Sequence, residues 1–177
     1  MEKVVFVVRK ANEEDIPQII EVSKEAFSMY AEGAGITAIV GSLKETYEDL
    51  KVELENKLIF VALSDDIIIG SVRVEVMADK TAYLSRFGVS AKYQCNGIGK
   101  LLMNAVDEFM EELGVERLYL HTASRMLSLV RFYYARGFYI ESTTKNKGYI
   151  RALLCKEYEV KSKGISFNAG CENLAVF

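Results

Sequence analysis

The segment from Gly97 to Leu113 constrains this chain most. Ile98, Leu101, Leu102, Ala105, Val106, Phe109, Met110 and Leu113 recur at i, i+3, i+4 and i+7, the spacing of one apolar helix face. Gly114 follows where a left-handed residue commonly closes a helix. Two short apolar runs flank it, Ala82 to Val89 and Val115 to His121, and both read as strands. A helix with one apolar stripe must bury that stripe against another layer, and here the neighbouring layer is a sheet.

The rest of the chain supplies that sheet. Val4 to Lys10 is β-branched and reads as a strand. Asn12-Glu13-Glu14-Asp15 then offers capping and acidic first-turn residues. Ile16, Ile19, Ile20, Ser23, Phe27 and Tyr30 follow at helical spacing. Pro17 is tolerated only near a helix start, so the regular helix is expected from about Asp15. The glycine-rich run 31–41 predicts a flexible connection. Ser42 is the expected cap of a second helix reaching about Asn56, with Leu43, Tyr47, Leu50 and Leu54 on one face.

Leu58 to Leu63, Ile67 to Val76 and Ala82 to Val89 predict an antiparallel meander with a turn at Ser64-Asp65-Asp66. In its middle strand Val72, Val74 and Val76 face one way, and Arg73 and Glu75 the other. After the long helix come the strand to His121, a helix over about Arg125 to Arg136 ended by Gly137, and two strands at Phe138–Ile140 and Tyr149–Lys156. The order β-α-α-β-β-β-α-β-α-β-β predicts an α/β or α+β sandwich with a mixed sheet, not a doubly wound one. Residues 1–156 form the expected single domain. The tail 157–177 has apolar residues at Ile165, Phe167, Leu174, Val176 and Phe177. It is expected either to pack, on the domain or on a second copy in a homodimer, or to be flexible.

Half of the 177 residues are hydrophobic, enough for a core without staples. A net charge of −3 gives no general pull toward nucleic acid or an anionic membrane. Cys95, Cys155 and Cys171 are far apart with no CxxC pair, and His121 is the sole histidine. A disulfide framework or a zinc site is therefore not expected. The opening residues lack a signal-peptide pattern, and no stretch has the length needed to span a bilayer. A soluble cytoplasmic protein is expected.

Gln94-Cys95-Asn96-Gly97-Ile98-Gly99-Lys100 leads into the long helix. Amides at a helix start have no internal partner, and the helix dipole makes that end positive. Glycines there let a phosphate approach the backbone, and Lys100 adds charge. Two phosphate motifs fail. A P-loop would need glycine at Gln94 and Ser or Thr at Leu101; a dinucleotide fingerprint would need a third glycine at Leu102.

Gln94-x-x-Gly97-x-Gly99 resembles the (Q/R)-x-x-G-x-(G/A) motif of the GNAT-type N-acetyltransferases. Tyr83-Leu84-Ser85-Arg86-Phe87-Gly88-Val89 is similar to that family's cofactor strand, and Phe132-Tyr133-Tyr134-Ala135-Arg136-Gly137-Phe138 to its F-Y-x-x-x-G-F segment. The resemblance covers roughly residues 4–156. It implies a three-layer sandwich with a mixed, mostly antiparallel central sheet flanked by helices. It implies acetyl-CoA as co-substrate and direct transfer of the acetyl group to a primary amine, on a small molecule, a peptide or a protein. It also implies site roles. Phe87, Gly88 and Val89 would pair with the pantetheine arm. Amides from Cys95 through Asn96, Gly97, Ile98 and Gly99 to Lys100 would hold the pyrophosphate, beside the Gln94 side chain.

Tyr133 occupies the family's tyrosine position and is the expected proton donor to the departing thiolate, in preference to Tyr134. Glu75 is the first candidate base; Ser85 and Arg86 are further polar candidates, and His121 has a suitable intrinsic pKa. Where the family frequently has asparagine, seven residues before the tyrosine, this chain has Met126. That departure keeps a second reading in play, an acyl-CoA-binding sensor without turnover. Glu32 and Glu75 are the residues expected to attract a cationic acceptor.

Overall fold

In chain order the elements are β1 (Phe6–Lys10), α1 (Ile16–Ala34), α2 (Tyr47–Asn56), β2 (Leu58–Ser64), β3 (Ile67–Val76), β4 (Thr81–Val89), α3 (Ile98–Glu112), β5 (Arg117–Ala123), α4 (Leu127–Tyr134), β6 (Tyr139–Thr144) and β7 (Arg151–Glu157). The computed structural model describes residues 5–36 and 41–159. The seven strands form one sheet in the order β1-β2-β3-β4-β5-β7-β6. Every pairing is antiparallel except β4 with β5. The expected mixed, mostly antiparallel sheet and the element order are thus both present.

The sheet has a core on each face. On one side Phe60, Val72, Val74, Leu84, Leu118, Leu120 and Leu154 meet α3 through Ile98, Leu102, Met103, Val106 and Met110. On the other, Ile59, Val61 and Leu63 meet Ile16, Ile19 and Val22 of α1 and Leu50 of α2. The two sets alternate along β2, as the pleat requires. Each fully buried aliphatic contributes about 1.5–3 kcal/mol relative to exposure. The α3 stripe is rotated slightly from its expected position: Met103 is fully buried, whereas Leu101 and Leu113 are exposed.

Several boundaries differ from the sequence reading for identifiable reasons. Asn12 does cap the chain, but at a 3-10 turn, Glu13–Asp15, that precedes α1; its capping box is completed by Asp15. Pro17 sits in the first turn of α1. That helix continues to Ala34, through the first four residues of the run expected to be flexible, and closes at Gly35. Ser42 does not cap α2. Thr46 does, accepting from the Asp49 N–H at 3.2 Å while its own N–H donates to Asp49 at 2.9 Å. Only Leu50 of the expected apolar face is buried. The strands β5 and β7 each begin two residues later than expected, and β6 runs on to Thr144.

The packed structure passes the expected boundary at residue 156. β7 ends at Glu157. The Tyr158 N–H donates to the Glu116 carbonyl at 3.0 Å, and its hydroxyl donates to Asp107 at 2.7 Å. The apolar tail residues from Ile165 onward and Cys171 lie outside the described residues.

Candidate active site

The parallel pairing of β4 with β5 lasts only from Thr81↔Arg117 to Leu84↔Leu120. Beyond Leu84 the two strands separate. β5 stays joined to β7 as far as Ala123↔Arg151, while β4 stays joined to β3 as far as Val89↔Gly70. The β4 edge from Ser85 onward therefore has no strand partner on its β5 side among the described residues. A bulge sharpens the divergence. Ser71 and Arg73 of β3 pair with Gly88 and Ser85, so two β4 residues, Arg86 and Phe87, oppose Val72 alone. Arg86 takes the strained positive φ of 52°, a device that re-aims side chains beside sites.

The opening is a cleft of about 790 Å³. One end is walled by Phe87, Val89, Gln94, Cys95, Gly97, Ile98, Gly99 and Lys100. Gly97 precedes α3 with φ 81°, and no side chain caps the helix. The amides of Ile98, Gly99 and Lys100 therefore have no intrahelical acceptor. Gly99 has a second reason to be glycine: a Cβ there would come 3.0 Å from the Phe87 ring. Phe87 in turn stacks on Phe132, with centroids 5.6 Å apart. Gly88 is required by α1, because a Cβ would lie 2.7 Å from that of Ala26.

Tyr133 lines the cleft. Its ring meets Phe132 and Phe138 edge-on at 5.4 and 5.5 Å. It is buried, and burial pushes its phenol well above the usual range. Its hydroxyl has no hydrogen-bond partner among the described residues. Tyr134 faces away: it is half exposed, and its oxygen accepts from the Ile140 N–H at 3.2 Å.

The other end of the cleft is built by α1, β4, β5 and β7. It contains Phe27, Tyr30, Tyr83, Arg86, His121, Tyr149 and Arg151. The Tyr30 hydroxyl accepts from the Ala123 N–H at 2.7 Å, which ties α1 to the end of β5. Tyr83 Oη and His121 Nδ1 are hydrogen-bonded at 2.8 Å. Burial, then the charges of Arg151 and Lys147, lower the His121 pKa from its ordinary 6.5. Near pH 7 the imidazole is therefore neutral.

Three sequence candidates do not line the cleft. Glu75 pairs in register with Tyr83 but is exposed, 3.9 Å from Lys57 Nζ, and does not line the cleft. Asn96 is exposed on the loop and points no atom into the cleft lining. Met126 and Leu129 do line it, so the cleft wall is apolar where the resembling family frequently has asparagine. Glu32 is exposed and does not line it either. Tyr83, Tyr149 and Arg151 were missed by the sequence reading. Alternation in β5 puts Tyr119 and His121 on one face, but nothing local to β7 marks Arg151.

This arrangement matches known proteins. Residues 19–138 match the acetyltransferase (GNAT) family. The chain belongs to that family, whose members use acetyl-CoA as co-substrate. Among solved structures it is similar to a PaiA N-acetyltransferase from Thermoplasma acidophilum in complex with coenzyme A. The identity is 25%, the TM-score 0.76, and the match covers 87% of this chain and 99% of that one. The ribosomal-protein-S18-alanine N-acetyltransferase of Escherichia coli matches at 15% identity and TM-score 0.72, over 92% of this chain and 98% of that one. A ribosomal-protein-alanine N-acetyltransferase from Brucella melitensis matches at 18% and 0.69, over 86% and 99%. These last two likenesses establish the fold alone.

Proposed function

We propose that the protein transfers the acetyl group of acetyl-CoA directly to a primary amine, with His121 and Tyr83 receiving the amine proton and Tyr133 supplying a proton to the departing sulfur. The observation that carries this reading is the cleft itself, which has unpartnered helix amides at one end and a neutral imidazole at the other. The residues present fit the co-substrate. An unpaired β4 edge at Phe87, Gly88 and Val89 suits a pantetheine arm lying along it as an added strand. Amides from Cys95 to Lys100, with the Lys100 ammonium, suit the pyrophosphate. The exposed Cys95 thiol is a bystander, since direct transfer needs no acyl-enzyme.

Acetyl-CoA supplies an activated thioester carbonyl. The acceptor must be uncharged to attack it. In the tautomer with its proton on Nδ1, His121 donates to Tyr83 and keeps Nε2 as an acceptor; in the other, Tyr83 donates and relays. Either way the amine proton ends on His121. Attack makes the C–N bond and breaks the C–S bond, and the sulfur takes the Tyr133 proton. Burial disfavours the phenolate, so Tyr133 carries its proton before the reaction. Glu75 has no part in this reading.

The test is steady-state release of the CoA thiol from acetyl-CoA across a panel of amines, with the acetylated product identified by mass. Amine-dependent release is expected. Release that no amine accelerates would overturn the proposal.

A further inference from the structure

The acceptor end of the cleft is cationic, and Arg151 there interacts with the Tyr83 hydroxyl but has no carboxylate partner among the described residues. Arg86, Lys147 and Arg151 line the cleft together with His121, and no aspartate or glutamate is among its described lining residues. Arg151 is half-buried and makes no ion pair with any described carboxylate. Arg86 has Glu45 at 3.7 Å, but both Glu45 oxygens are already taken by Arg73 at 2.6 Å. A half-buried guanidinium without a counter-ion is costly unless a ligand supplies one.

Register places that guanidinium beside the base. His121 pairs with Leu153 and Ala123 with Arg151, so His121 and Arg151 are diagonal neighbours on one sheet face. Tyr83, in register with Tyr119, is on that face as well. An arginine fork matches a carboxylate with two parallel hydrogen bonds.

We infer that the acceptor is an amine carrying its own carboxylate, which Arg151 holds while the amino group lies against His121 and Tyr83. The inference rests on the acetyltransferase reading above and names its substrate class. The same cations disfavour an ammonium, so they help deliver the amine in the neutral form that attacks. A polyamine or a lysine side chain brings only further positive charge to this end. Glu32 and Glu75, the carboxylates expected to attract a cationic acceptor, are not among the lining residues of the cleft.

Matched acceptors test this: free amino acids, the same compounds as carboxamides, and a polyamine, each compared by kcat/KM. The wild type is expected to favour acids over their amides at least tenfold. Arg151→Gln should collapse that ratio toward one by raising KM for the acid, and Arg151→Lys should restore part of it. Unchanged KM for acetyl-CoA in both variants checks that the fold is intact. If amides or the polyamine are turned over as well as the acids, the inference falls while the acetyltransferase reading stands. If no amine is acetylated, both fall.

Discussion

Tyr83 Oη and His121 Nδ1 lie 2.8 Å apart across the β4–β5 pair, at the point where the two strands begin to separate. A group 38 residues away in sequence thus holds the ring of the sole histidine. Burial, Arg151 and Lys147 all act to keep that ring uncharged. If His121 is the base, kcat/KM rises with pH as the imidazole loses its proton. The sign of the shift puts the midpoint of this acid limb below 6.5. His121→Gln should abolish the limb and lower kcat by about 10²–10⁴-fold. Arg151→Gln, which removes a neighbouring positive charge, should move the midpoint up toward 6.5. A pH–rate profile of His121→Gln that matches the wild type would end the assignment.

Tyr133 is expected to act on the leaving group and not on binding. Its aromatic contacts with Phe132 and Phe138 are kept by phenylalanine. Tyr133→Phe should therefore fold normally and keep its KM for acetyl-CoA within a few-fold. Its kcat should fall by about 10²-fold or more, the usual scale for removing a general acid. Tyr134→Phe, outside the cleft, serves as the comparison and should retain turnover. Equal losses in both variants would count against a proton-donor role.

What the sequence made legible was whatever depends on local period or on one short segment. The α3 stripe, its Gly114 cap and the glycine-bearing turn before it were readable because a helix writes its burial every three or four residues. What was missed depends on strands that meet only in the folded sheet. His121 faces Tyr83 and Arg151 through two different neighbours, and neither register can be read from β5 alone. Glu75 is a candidate base from the family resemblance together with alternation, which sets it on the polar side of β3. That side is not open along its length: Arg73, on the same face, is fully buried under Glu45 and Glu53. Alternation identifies faces, but not which face a helix covers.

Gly88 allows α1 to approach β4, and this has a measurable consequence. A Cβ at residue 88 would lie 2.7 Å from that of Ala26. Gly88→Ala should destabilise the protein by about 1–3 kcal/mol, the range for overpacking. For a chain of this size each kcal/mol lowers Tm by about 2–4 °C. Ala26→Gly alone should cost about 1 kcal/mol in helix propensity. The double variant should be more stable than the sum of the two changes, because the second glycine reopens the space. Additive losses would mean that the contact does not limit the packing.

The Arg73 cluster should set much of the acid sensitivity of the fold. Arg73 is fully buried, bound at 2.6 Å by Glu45 on both nitrogens and at 2.6 Å by Glu53. Burial alone would raise the Glu53 pKa, but the hydrogen bonds from Arg73 and Lys57 outweigh it and leave it below 4.5. Asp15, bonded by Arg9, is likewise held below 3.8. A depressed carboxylate contributes stability that is complete above its unfolded pKa and lost as pH falls through the folded one. Urea midpoints should therefore drop below about pH 4.5. Arg73→Met should cost about 3–5 kcal/mol at neutral pH, because Glu45 is left buried without its partner. Arg73→Met with Glu45→Leu should recover most of that loss. The single variant should also be less sensitive to acid than the wild type, because Glu53 loses the Arg73 hydrogen bond that lowers its pKa. A wild-type acid slope in Arg73→Met would show that the cluster does not control it.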